Sequence, residues 1–110
     1  MNENKVPEFL YKILSLENWK ASQSRPTIQL TQDDKEFIHL SKEDQLDRII
    51  AKYWADVPEY IILKIDTSKL TGRLVYESNP GGSNKYYHLY NGSIPLNSVI
   101  KPKVVRSNHK

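Results

Sequence analysis

The sequence predicts a small α+β domain with two main helices, on three observations. Short segments at 9–14, 37–40, 60–66, 73–77, 86–90 and 98–105 are rich in the β-branched and aromatic residues that suit strands. One long segment, 42–55, carries Leu46, Ile49, Ile50, Tyr53 and Trp54 in a helical stripe. The chain has 110 residues, 38% hydrophobic and 26% charged, which suffices for one core and not for two.

The elements follow in order. Phe9-Leu10-Tyr11-Lys12-Ile13-Leu14 reads as a strand, and Ser15 as the N-cap of a short helix holding Trp19. Pro26 and the polar stretch after it break the pattern. Residues 37–40 make a second strand, and Ser41 with Asp44 three positions on resembles a capping box opening the helix of about 42–55. The stripe of that helix is expected to pack on a sheet, with Asp47, Arg48 and Lys52 off it, and Pro58 ends the segment. In 60–66, Ile61, Leu63 and Ile65 share a side, so that strand is buried on at least one face. Asp66-Thr67-Ser68-Lys69 makes a turn. In 73–77, Arg73, Val75 and Glu77 face one way, and Leu74 and Tyr76 the other. Residues 79–84 form a glycine loop, 86–90 a strand, Asn91-Gly92 a turn, and 98–105 a last strand interrupted by Pro102.

The expected organisation is a flexible N-terminus over 1–8, one domain over 9–100, and a partly mobile basic tail over 101–110. Lys101, Lys103, Arg106 and Lys110 give that tail four cations without an acid, and they supply much of the net charge of +3. A cytoplasmic location is expected, because no apolar run reaches membrane-spanning length and the first residues lack a signal-peptide pattern. There are no cysteines, which excludes disulfides, thiolate nucleophiles and cysteine-based zinc sites.

The candidate chemistry lies in Glu36-Phe37-Ile38-His39-Leu40-Ser41 and Tyr86-Tyr87-His88-Leu89-Tyr90. Alternation puts Phe37, His39 and Ser41 on one face of the first segment, and Tyr86, His88 and Tyr90 on one face of the second. Two imidazoles can then share a cleft, where they hold phosphate or ribose and exchange protons near neutral pH. The alternative is a pair of half-buried histidines that serve packing. Lys12 shares a face with Leu10 and Leu14, so its ammonium either snorkels from an apolar patch or points into the cleft. Ser41 is accounted for by capping alone, and Glu77 by solvation or a pair with Arg73. His39, His88 and Glu77 do not include the closely spaced ligand pair of a metal site, and no metal is expected.

Tyr11-Lys12-Ile13-Leu14 with Trp19, then Phe37 to Ser41 with Gln45, Leu63-Lys64-Ile65-Asp66 with Leu70, Glu77, Gly81-Gly82, His88-Leu89-Tyr90 and Val99 resemble domain-of-unknown-function family 952 (DUF952) over roughly residues 9–100. The resemblance implies a split-sheet fold similar to that of ADP-ribosyltransferases, enzymes that split NAD in a cleft between two small sheets. It implies catalytic positions at Lys12, His39 and His88, ligand-binding positions at Ser41, Gln45, Glu77 and Tyr90, and NAD or a nucleotide as the molecule bound. The chain departs from the family pattern at Glu36, Asn79-Pro80, Tyr87 and Asn91. It also lacks an arginine near Gly81, for which Lys85 can substitute as a point charge on phosphate. No late acid matches the glutamate of classical ADP-ribosylating enzymes. His39-Leu40-Ser41 is similar to the corresponding segment of RNA 2′-phosphotransferases, so nucleic acid stays among the possible partners.

Two functions follow from the residues and the resemblance together. One is a nucleotide- or NAD-related transferase or hydrolase with a His/Lys polar cleft. The other is a non-catalytic module that binds a nucleotide-like ligand or another protein.

Overall fold

The computed structural model describes residues 6–106. Its elements are β1 (Phe9–Leu14), α1 (Leu16–Ser22), β2 (Ile38–Leu40), α2 (Leu46–Ile49) widening into a π-turn (Ile50–Trp54), β3 (Glu59–Asp66), β4 (Arg73–Ser78), β5 (Lys85–Tyr90) and β6 (Val99–Arg106). Two three-stranded antiparallel sheets result, ordered β1-β3-β6 and β2-β5-β4. Their edges are joined where Tyr11 and Ser41 exchange backbone hydrogen bonds of 2.8 and 2.9 Å, tying β1 to the end of β2.

Alternation explains which side chains meet in the core. Leu10 and Leu14 of β1 and Ile61, Leu63 and Ile65 of β3 join Ile38, Leu40, Tyr87 and Leu89 of the second sheet. Ile28 and Ile94 close this cluster, brought together where the Ile28 N–H donates to the Ile94 carbonyl at 2.9 Å. At α1, the Ser15 hydroxyl accepts from the Asn18 N–H at 3.1 Å, the capping bond expected of it.

Three expectations are corrected. Ser41 does not cap the second helix, because its backbone is already paired with Tyr11. The chain turns in at Lys42 instead, whose N–H donates to Gln45 Oε1 at 2.9 Å. The segment expected as one helix over 42–55 is a 3-10 turn (Glu43–Gln45), a single α-turn and the π-turn, and its apolar stripe stays out of the core. None of Leu46, Ile49, Ile50, Tyr53 and Trp54 is buried, and Tyr53 is 60% exposed. The physical reason is that residues from both sheets already fill the core. Trp54 makes a ring contact with Tyr60 at 5.4 Å that links the segment to β3.

The last strand, expected over 98–105, runs to Arg106 through residues also assigned to the basic tail. Lys101 to Arg106 belong to β6 and pair with β3, where the Arg106 guanidinium meets Glu59 at 2.9 Å. Pro102 is tolerated because β6 is an edge strand. Residues 1–5 and 107–110, where terminal flexibility was expected, lie outside the described residues.

At the open end of the β4–β5 pair two glycines allow backbones to touch. A Cβ on Gly92 would stand 1.8 Å from the Thr71 carbonyl oxygen, and one on Gly72, at φ +98°, would stand 2.5 Å from that of Tyr90. Gly92→Ala is therefore expected to cost more than about 2 kcal/mol, since backbone rather than a flexible side chain must yield. A denaturant midpoint equal to the parent's would refute this close approach.

Candidate functional site

The 3-10 turn Gln32–Asp34 ends five residues before His39, and this short return lets one carboxylate organise β2. Asp34 Oδ1 accepts from the His39 backbone N–H at 3.0 Å and lies 2.9 Å from His39 Nδ1, while Oδ2 meets Lys12 Nζ at 2.8 Å. Lys12 Nζ also donates to the His39 carbonyl at 3.0 Å. Lys12 is 8% exposed and Asp34 is 7% exposed, so this is a buried ion pair with its hydrogen bonds made. Burial pulls the lysine below its ordinary pKa, and Asp34 opposes that pull. Burial also pushes Asp34 upward, but the His39 hydrogen bond and the Lys12 ammonium outweigh it and hold the carboxyl below its usual range. The Asp34 carboxyl is accordingly ionised at neutral pH.

An ionised carboxylate can only accept, so His39 Nδ1 carries the hydrogen and Nε2 presents its lone pair in the neutral ring. The His39 side chain is 39% exposed. Its held edge lies on a buried charge, and its free edge is open.

Beneath it sits the second histidine. His39 and His88 are cross-strand partners whose rings lie 5.4 Å apart edge-on, and Phe37 stacks on His88 at 4.0 Å. The two faces expected from alternation do converge. His88, however, is wholly buried, with Nδ1 on Glu77 Oε2 at 2.7 Å and Nε2 on Asn79 Oδ1 at 2.8 Å. The Tyr90 hydroxyl donates to the same Glu77 oxygen. That bond, then the one from His88, draws Glu77 below its ordinary pKa, and the Glu77 carboxylate in turn raises Tyr90. Glu77 is thus paired with His88 and Tyr90, and Arg73 lies over the Tyr90 ring at 5.7 Å.

A cleft of about 860 Å³ opens in front of His39. Lys12, His39 and Ser41 line its floor, the Asn79–Asn84 loop forms one wall, and Arg48, Ile49, Lys52 and Tyr53 come from the helical segment. This volume falls within the range of about 300–1,000 Å³ typical of small-molecule sites.

Residues 13–102 match the model of the family described as Protein of unknown function (DUF952). The chain belongs to this family. The crystal structure of protein CC0527 from Caulobacter crescentus is similar to this DUF952 chain at 26% identity and a TM-score of 0.74, covering 87% of this chain and 84% of that one. The solution NMR structure of CC0527 agrees, with a TM-score of 0.73 over 88% and 84% of the two chains. Comparison with curated proteins gave no match.

The DUF952 structure sorts the residues singled out in its sequence. Lys12, His39 and Ser41 come together at the cleft, with the Lys12 ammonium held there in the ion pair with Asp34. His88, Glu77 and Tyr90 form the network behind them and do not line the cleft. Gln45 does a structural job, donating to the Lys85 carbonyl at 2.8 Å, and the Lys85 side chain is not in the cleft wall. Asp34, Asn79, Arg48, Lys52 and Tyr53 were not among the sequence candidates. Among the described residues no group of three His, Cys, Asp or Glu side chains is placed to hold a metal ion, and no helix is long and apolar enough to cross a membrane.

The burial of His88 makes it a stability residue. His88→Leu keeps the packing but leaves Glu77 and Asn79 without their partner, and should cost about 1–3 kcal/mol. It should also speed amide hydrogen exchange in the Asn79–Asn84 loop. A variant with parental stability and exchange would show that these bonds contribute nothing.

Proposed function

We propose that this DUF952 domain acts on a nucleotide-like small molecule, with His39 Nε2 as the atom that takes and returns a proton. The observation that carries this reading is the Asp34–His39 pair, a buried carboxylate on one edge of an imidazole whose other edge belongs to the cleft. Such a carboxylate fixes the tautomer and stabilises the imidazolium once the proton arrives. In a transferase or hydrolase step, Nε2 accepts the proton of the attacking hydroxyl, from water or from a second substrate, and gives it to the leaving group. Lys12 neutralises Asp34 from the buried side and acts through it. The two three-stranded sheets flanking a cleft support the finer ADP-ribosyltransferase-like reading of the fold, and with it NAD or another nucleotide as the molecule acted on.

The test is a titration of isotope-labelled protein with NAD, ADP-ribose, mononucleotides and phosphorylated RNA ends, following the His39 ring resonances and turnover together. A ligand that moves those resonances and is converted supports the proposal. Binding that leaves His39 unmoved rejects it, and binding without turnover turns the site into that of a non-catalytic ligand-binding module.

A further inference from the structure

We infer that the helical wall of the cleft recognises a planar ring joined to a phosphate, the chemistry of a mononucleotide. This rests on the cleft being the ligand site, but not on His39 transferring a proton. Of the apolar stripe that stays out of the core, Ile49, Tyr53 and Trp54 line the cleft. Arg48 and Lys52 lie four residues apart, as do Ile49 and Tyr53, so a cationic row and an adjacent apolar row both border the cleft. The ion pairs among the described residues are Lys12–Asp34, His39–Asp34, His88–Glu77 and Arg106–Glu59, and Arg48 and Lys52 enter none of them.

An arginine fork and a nearby ammonium suit a phosphate dianion, while Tyr53, 60% exposed, offers a ring for stacking. Lys52 rests 5.2 Å from the Tyr53 ring centroid, which shows that charge and ring lie within reach of one ligand. The facing wall carries Gly81, at φ +79° with no atom within 4 Å of where a Cβ would stand, so the backbone there leaves space for a bulky group. Asp33 lines the cleft as well, and its charge biases the phosphate toward the helix.

The experiment titrates labelled protein with adenosine 5′-monophosphate, adenosine and inorganic phosphate at fixed ionic strength. The mononucleotide should move the amides of residues 48–53 and of Gly81 and Gly82, and should bind more tightly than either of its parts. Arg48→Gln with Lys52→Gln should weaken it about tenfold or more and leave adenosine unchanged, the loss expected for a charge-assisted contact. Tyr53→Ala should weaken both. A mononucleotide that moves His39 while residues 48–53 stay still, or a double variant that binds it as the parent does, overturns this inference and leaves the reading of His39 intact. Shifts at 48–53 without any at His39 do the reverse. No binding of any of the three at millimolar concentration overturns the inference outright.

Discussion

Asp34→Ala is expected to destabilise the domain by about 3–5 kcal/mol, the effect of leaving a buried ammonium without its partner. The variant strands Lys12 at 8% exposure and also removes the acceptor of the His39 N–H and ring. For a domain of this size that is a fall in Tm of more than about 10 °C. The double variant Lys12→Met with Asp34→Leu removes both charges and should recover much of the loss, because the ion pair itself offsets little more than its own desolvation. If Asp34→Ala alone unfolds at the parental temperature, the pair is not buried as described. The same group sets an acid limit. Its carboxyl is held below its unfolded value, so its contribution is complete above about pH 4 and is lost as the pH falls through the folded value. Lys12, also lowered, acts in the same direction with pH: its burial opposes folding while it is protonated, and that cost falls as the pH rises through its folded value.

His39→Asn is the variant with the largest expected effect on turnover. The Asn amide can still donate to Asp34, so the local fold is kept and stability should change by less than about 0.5 kcal/mol. The ionisable nitrogen facing the cleft is gone, and turnover of whichever ligand the screen converts should fall by about 10²–10⁴. The contrast with His88→Leu is informative, since that change should lower stability while sparing the atom at which the proton moves. A His39→Asn protein that retains half of the parental turnover excludes His39 as the proton carrier.

The strands were legible because period-two alternation survives in sequence. Ile61, Leu63 and Ile65 are the buried side of β3 as the pattern implies, and Phe37, His39 and His88 share a face for the same reason. Alternation assigns a residue to a face without showing what covers each position on it, so His88, covered by Phe37 and bonded to Glu77 and Asn79, looked equivalent to the half-open His39 on the same face. The stripe at Leu46 to Trp54 misled in the same way, because helical periodicity shows that a face is apolar without showing whether it covers a core or walls a cleft. Asp34 was illegible for another reason. It lies in a polar stretch of no regular period, and its importance comes from contacts with Lys12 and His39 that only the assembled fold creates.

The order of strands bears on how the chain reaches this state. β1, β3 and β6 make one sheet and β2, β5 and β4 the other, so the two are interleaved along the chain. Until β5 exists the second sheet lacks its centre, and until β6 exists β3 has a neighbour on one side only. Neither half can nucleate as an independent unit, and the loops that must close first carry their entropy before any long-range contact compensates. Folding should therefore be a single slow event, in the millisecond-to-second range of proteins dominated by distant pairings, with the cleft and both sheets acquired together in one exponential phase.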